Sequence, residues 1–507
     1  MRLFFVIYLI ENFLLFLQVN MKNREEEAGL KLKTARTLKW NTIDKFSSQV
    51  LYAVTGIVLA NVVSKEEFGL VGAILVFQAF ASLFVDSGFS TALIQRKNPS
   101  ETDYSTVFWF NLGMSVMLYV VLWLCAPWID SIFHAEGQLI PLSRVMFVTF
   151  ILNATAIVQT NRLMKQMTVK MIAVSNVVGL VVSGVVGIWL ALSGWGAWAI
   201  VWQSITLAMV KSGILWITSA WSPRMEFSVA SLRSIFSVGA GVMASSFLNT
   251  IFMNIYSFII GAHYNLVQLG NYSQADKWSK MGVMSLSQVF TASFLPLLSA
   301  KQDDKQEYAR MIAKTNRFTG YVTFFSMGLL LVCSTQIFHV FFGTKWDSAI
   351  MMFQLLVVRG IFTVITSLYN NYIISCGASR KYVYSEVVKD VSTVIAIVVT
   401  IPFGVTWLVA GQVFAGVVYY FYALYLVGKV TGYSRWSLVK DALPYVALTI
   451  VALAPSVALS YFISNAWILL ATQLVVSGGV YVLLNWLMKS KIQADAFEYV
   501  FGRFRRK

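Results

Sequence analysis

Along most of the chain, runs of about 20 apolar residues alternate with short polar loops, the spacing of helices that cross a hydrocarbon layer ~30 Å thick. Backbone polar groups in lipid must find partners within their own segment, so these runs predict α-helices. Spans are expected near residues 41–63, 68–94, 105–128, 145–161, 171–192, 197–217, 235–261, 281–299, 318–340, 349–374, 387–402, 406–428, 442–463 and 466–488. The expected fold class is an all-α integral membrane protein with 14 transmembrane helices.

Polar positions inside the apolar runs repeat. The first span carries Asp44, Ser48, Tyr52 and Thr55, and the seventh carries Ser246, Thr250, Asn254 and Ser257, each shifted by 202 residues. Gly69 and Gly270 stand 201 apart, and Gly196, Trp198 and Gln203 are echoed by Gly404, Trp407 and Gln412 at shifts of 208 to 209. The chain therefore reads as two six-helix lobes, 40–217 and 235–428, joined by a cytoplasmic linker at 218–234. An N-terminal extension and cytoplasmic segment precede them at 1–39, and two C-terminal helices with a basic tail follow at 429–507. Six helices per lobe make both lobes enter the membrane from one side, a parallel repeat that creates a cavity at the seam and permits alternating access by rocking.

Composition agrees, with 58% hydrophobic residues and 12% charged, too apolar for a soluble surface. The net charge of +16 would suggest nucleic acid in a soluble chain, but its placement matters more. Of 39 Lys and Arg, 31 fall on one side of the expected topology and four on the other. Such asymmetry predicts cytoplasmic ends for the bundle, with no nucleic acid as partner. The apolar segment Leu3–Val19 is broken by Glu11 and Asn12 and lacks a cleavage signature. Translation is expected to begin at Met21, with residues 1–20 an upstream extension; an extra membrane anchor is the alternative reading.

An ionisable group within a membrane is costly unless it is paired or faces water. Arg359 lies ten residues into its span, on a polar face that continues through Thr363, Thr366 and Asn370. Two readings stand: Arg359 meets a phosphate, which a guanidinium binds bidentately, or it pairs with a carboxylate on a neighbouring helix. Lys45, with Gln49 one turn on, guides an anionic head group or snorkels to the interface. Arg144 is placed to line an outward-facing cavity. Asp44 and Asp86 are the ion-coupling candidates, although Asp86 could equally pair with Lys45 or cap a break at Gly88. Glu386, Lys389 and Asp390 are spaced to pair with one another.

Cys125, Cys333 and Cys376 read as packing residues, and His134, His263 and His339 share no metal-ligand spacing. No phosphate-binding loop and no sizeable soluble domain is present, so no cofactor, metal or catalytic residue is expected and the chain reads as a transporter, not an enzyme.

At this point the residues carry a resemblance. Leu59-Ala-Asn-Val-Val-Ser-Lys-Glu-Glu-Phe-Gly-Leu70 and Phe84-Val-Asp-Ser-Gly-Phe-Ser-Thr-Ala-Leu-Ile-Gln-Arg-Lys97 resemble the opening helices of Wzx-type polysaccharide flippases. The likeness is to the colanic and teichuronic acid branch of the MOP superfamily, a superfamily that also contains O-antigen flippases. Leu269-Gly-Asn-Tyr-Ser-Gln-Ala275 and Phe294-Leu-Pro-Leu-Leu-Ser-Ala300, followed by Lys301 and Gln302, are similar to the same branch. Asn61 stands where the family often has arginine, so no role passes from that arginine to this chain. The resemblance implies movement of undecaprenyl-diphosphate-linked oligosaccharide repeat units across the membrane, driven by an H+ or Na+ gradient. Membrane lipids and a polysaccharide polymerase complex are the other implied partners. The alternatives left open are a MATE-like drug/cation antiporter, a peptidoglycan-precursor lipid flippase and a membrane polymerase or ligase.

Overall fold

The computed structural model describes residues 25–86 and 89–495, without the side chains of residues 25–36, 38, 85, 86, 91, 237–240, 242, 244 and 245. The expected 1–20 extension lies outside them. All regular elements among the described residues are helical. In chain order they are α1 (Glu25–Val62), α2 (Lys65–Asp86), α3 (Phe89–Gln95), α4 (Glu101–Ile132), α5 (Leu139–Met146), α6 (Val148–Lys165), α7 (Val169–Leu192), α8 (Ala197–Ser219) and α9 (Val229–His263). They continue with α10 (Leu266–Ser299), α11 (Lys305–Val332), α12 (Ser334–Phe342), α13 (Asp347–Ser375), α14 (Ser379–Thr400), α15 (Val405–Thr431), α16 (Arg435–Leu459) and α17 (Ala466–Leu487).

Short polar side chains start many of these helices by accepting from the unpaired N–H groups of the first turn. At α4, Ser100 and Asp103 form a reciprocal capping box. Ser64 and Glu67 do the same at α2, the Ser64 N–H reaching Glu67 Oε2 at 2.8 Å and the Glu67 N–H reaching Ser64 Oγ at 3.2 Å. Asp304, Ser434 and Asn465 cap α11, α16 and α17. Gly196 and Gly404, partners in the sequence repeat, both precede their helices with positive φ, 52° and 97°, a conformation that favours glycine.

The chain separates into two compact units, one within Asn23–Ser273 and the other within Gln274–Lys507. In the first, α7 packs between α1 and α8. Gly184 lies against the Thr55 methyl group and Gly187 against the Gln203 stem, so small residues let the helices approach closely. Where α2 meets the first turns of α10, a Cβ on Gly69 would overlap the Leu266 carbonyl, and one on Gly270 would overlap the Lys65 carbonyl. Lys65 and Gly69 precede Leu266 and Gly270 by 201 residues each. The crossing is therefore reciprocal between repeat-equivalent positions. In the second unit, α13 packs along α15, and α11 along α16. Arg317 on α11 holds Asp441 on α16 at 2.6 Å, and buried Asn316 donates to the Leu438 carbonyl.

Solvent preference is inverted relative to a soluble bundle. Trp189 and Leu192 are 65% and 68% exposed, while Asn111 and Gln159 are fully buried. An apolar exterior of that kind belongs in lipid. Among the described residues ten helices are long and apolar enough to cross a membrane, or eleven if the bent pair α11–α12 is one span. The other three expected spans fall on α1, α9 and α14, which do not belong to that set. For α14 the reason is visible toward its start, where Arg380, Lys381, Glu386, Lys389 and Asp390 fall within the first twelve residues.

Candidate functional site

Arg359 sits half-buried on α13, flanked by a crowded face on which Gly360 lies against Val283. Its guanidinium donates to Gln412 Oε1 on α15 at 2.6 Å, and its stem passes over Gly416 one turn further on. Arg359 takes part in none of the ion pairs among the described residues. Of the two readings of this arginine, the carboxylate partner is therefore not realised: a neutral amide holds it. That arrangement satisfies one donor and leaves the positive charge uncompensated by an adjacent anion.

The polar face beyond Arg359 is satisfied in two ways. Thr363 and Thr366 bond back to carbonyls of their own helix, which makes them local rather than site-forming. Asn370 instead reaches across, its Nδ2 donating to the Tyr419 hydroxyl on α15 at 2.9 Å. That hydroxyl donates in turn to Glu386 Oε1 on α14 at 2.8 Å, and Glu386 is ion-paired with Lys389. Lys389 also lies 3.8 Å from Asp390, so the expected pairing of these three residues is present. Three helices are tied through Tyr419, and the Asn370 Oδ1 remains buried without a partner.

The other candidates belong to the first unit. Asp44 on α1 accepts from Asn176 Nδ2 on α7 at 3.0 and 3.2 Å and from the Ser48 hydroxyl at 3.4 Å. Lys211 on α8 attracts it electrostatically. Lys45 is exposed and Gln49 half-buried on the same helix. Arg144, in the last turn of α5, stacks its guanidinium 3.9 Å over the Trp123 ring of α4 and donates to the Trp123 carbonyl at 3.4 Å. A cation over an indole is retained by the ring quadrupole while its edge stays available. Asp86 ends α2, and its side chain lies outside the described residues.

Sequence reasoning did not find Tyr419, Asn176 or Lys211 as partners. A signal existed for one: Tyr419 stands seven residues after Gln412, on the same helical face, and Gln412 was already marked by the repeat.

A family model described as "Polysaccharide biosynthesis protein" matches residues 58–351. The lipopolysaccharide biosynthesis protein WzxC of Escherichia coli (strain K12) is 25% identical over 66% of this chain and 68% of its own length. The succinoglycan biosynthesis transport protein ExoT of Rhizobium meliloti (strain 1021) is 23% identical over 71% of this chain and 72% of its own. Among solved structures, the lipid II flippase MurJ in an inward closed conformation superposes with a TM-score of 0.72 at 15% identity, covering 88% of this chain and 98% of that one. This last likeness establishes the fold, a MurJ-like bundle. With the model matching more than half of its length, the chain belongs to the polysaccharide biosynthesis protein family.

Proposed function

We propose that the protein carries polyprenyl-diphosphate-linked oligosaccharide units from the cytoplasmic to the outer leaflet of a bacterial inner membrane by alternating access, as a transporter rather than a catalyst. In this reading the fourteen spans form two six-helix lobes, 40–217 and 235–428, with two added helices and both ends cytoplasmic. WzxC and ExoT, named for lipopolysaccharide biosynthesis and succinoglycan transport, support the class of cargo.

The observation that carries the mechanism is Arg359, held by the neutral amide of Gln412 at 2.6 Å. A guanidinium cannot lose its charge, and within an apolar bundle an uncompensated charge favours an anionic visitor. The cargo's diphosphate supplies that anion and displaces Gln412 from one edge of the fork. Asn370 and Gln49 offer amides to sugar hydroxyls, and Lys45 and Arg144 draw the anionic head toward the path. Coupling to an H+ or Na+ gradient falls to Asp44, with Asp86 as a second carboxylate, and a polysaccharide polymerase complex receives the product.

The test is Arg359→Ala in a deletion strain. Surface polysaccharide should fall at unchanged membrane level of the variant, and lipid-linked saccharide should accumulate on the cytoplasmic face. Normal polymer made by a correctly inserted variant would overturn the role of Arg359.

A further inference from the structure

Between α8 and α9 the chain runs without regular structure over residues 220–228, and it is fastened to the first turns of α4. Arg224 donates its N–H to Ser105 Oγ at 3.0 Å, and its carbonyl accepts from Trp109 Nε1 at 2.8 Å. Glu226 Oε2 accepts from the Thr102 hydroxyl at 2.8 Å, and the Ser228 N–H donates to Thr106 Oγ1 at 3.1 Å. Trp221 before this stretch and Ile235 after it are buried in one apolar cluster with Phe108. Both ends are therefore pinned, and residues 224, 226 and 228 are committed to α4.

The alternate residues are apolar and bare. Met225 is 89% exposed, Phe227 53% and Val229 70%. Because the strap is fixed on either side of them, these side chains cannot turn into the core. An exposed apolar row of this kind marks a surface that something covers.

Its position on α4 decides what covers it. Thr102, Ser105, Thr106 and Trp109 lie on the helical face that continues through Val116, Val120 and Leu124. Those three are exposed, and α4 is long and apolar enough to cross a membrane. Val116 stands only about 10 Å along the axis from Trp109, at 1.5 Å per residue. The strap therefore covers the start of a lipid-facing stripe and stops where the bare stripe begins. Its contacts straddle residue 105, where the span of α4 is expected to start. Non-helical backbone at that depth needs its polar groups satisfied, and α4 satisfies both groups of Arg224 and the N–H of Ser228. Arg224 and Arg233 are exposed beside the apolar row, the composition of a segment lying between lipid phosphates and acyl chains.

We propose that residues 224–229 form a non-helical interfacial anchor, with Met225, Phe227 and Val229 inserted at the border of the hydrocarbon layer. The partner is the lipid leaflet at the N-terminal end of α4. Insertion depends neither on the cargo nor on which face of the membrane is cytoplasmic.

The test puts a nitroxide on the purified full chain in nanodiscs of phosphatidylcholine and phosphatidylglycerol, where both membrane faces are open to reagents. Met225→Cys and Val229→Cys supply two labelling sites, each with Cys125→Ser and Cys376→Ser in the background. Cys333 is fully buried and stays. Both labelled side chains are largely exposed, so the unfolding temperature should not change. Val120→Cys on the bare stripe and Gln302→Cys in an exposed turn are the lipid and water references. At 225 and 229 the ratio of collisions with oxygen to collisions with a water-soluble nickel chelate should exceed that at 302 about ten-fold, the preference that burial of one large apolar side chain supports. It should approach the ratio at 120. A ratio equal to that at 302 puts the row in water and overturns the proposal. A label shielded from both reagents is covered by polypeptide, whether a second copy or another protein, and overturns it as well.

Discussion

Gly69 and Gly270 occupy equivalent places on two crossing helices, each facing a backbone carbonyl of the other: Gly69 that of Leu266, Gly270 that of Lys65. Both contacts lie within the first compact unit. Neither carbonyl can rotate away as a side chain could, so an added methyl group must separate the helices. The two contacts join Lys65 with Gly270 and Gly69 with Leu266 across the same crossing; Lys65 and Leu266 stand 201 apart in the sequence, as do Gly69 and Gly270.

Gly69→Ala and Gly270→Ala should each destabilise the protein by about 1–3 kcal/mol, the usual cost of overpacking. Gly113, inside α4 with open space where its Cβ would be, is the control. Gly113→Ala should be neutral or stabilising by up to about 1 kcal/mol through helix propensity. Thermal unfolding of the three purified variants checks the contrast. A common sign for all three would remove the close crossing from the account.

Gln412→Glu puts a carboxylate where the amide now accepts from Arg359 at 2.6 Å. A charged pair at that distance satisfies the arginine internally and competes with any incoming phosphate. The variant should reach the membrane at normal level, while transport falls about ten-fold or more, equivalent to about 1.4 kcal/mol. Surface polymer and immunodetection of the protein are the paired readouts. Unimpaired transport would mean that the charge on Arg359 does not need to be free for cargo.

How much of this was legible in sequence follows from what each feature depends on. Runs of apolar residues set helix positions directly, but the number of spans was harder to read: α1, α9 and α14 lie outside the helices long and apolar enough to cross a membrane, and α14 shows one reason in the charges near its start. The link from Asn370 to Tyr419 depends on the rotation of α13 against α15, which no periodicity within either helix encodes. Arg359 was legible because a lone cation in an apolar run is conspicuous. Its partner was not, because amide, hydroxyl and carboxylate partners leave the same trace on the arginine's own helix. Asp44 shows the same limit: its stripe was visible, but the Asn176 amide that binds it comes from 132 residues away.

Tyr419→Phe should strand the Asn370 amide and remove a donor from Glu386 at once. Tyr419 is 6% exposed, so water does not readily replace the hydroxyl, and the expected loss is about 1–3 kcal/mol. Combining it with Asn370→Ala should cost less than the sum of the single losses, with a coupling of about 0.5–3 kcal/mol. Additive losses in a thermal unfolding cycle would show that the two side chains do not communicate.

Asp44→Asn separates the two things that Asp44 can do. The amide is close to isosteric with the carboxylate, and its oxygen can still accept from Asn176 and Ser48, whose donors now lie 3.0 to 3.4 Å away. Charge is lost, and with it the attraction of Lys211 and any capacity to exchange a proton or sodium ion. A residue that only braces α1 against α7 should tolerate this change, because the hydrogen-bond acceptor survives. A coupling carboxylate should not. The expected outcome is a stable variant, within about 1 kcal/mol of the parent by thermal unfolding, whose residual transport no longer responds when a protonophore or sodium ionophore collapses the gradient. If Asp44→Asn moved cargo at the parental rate and kept the parental response to ionophores, coupling would have to be sought elsewhere, with Asp86 the next carboxylate to test.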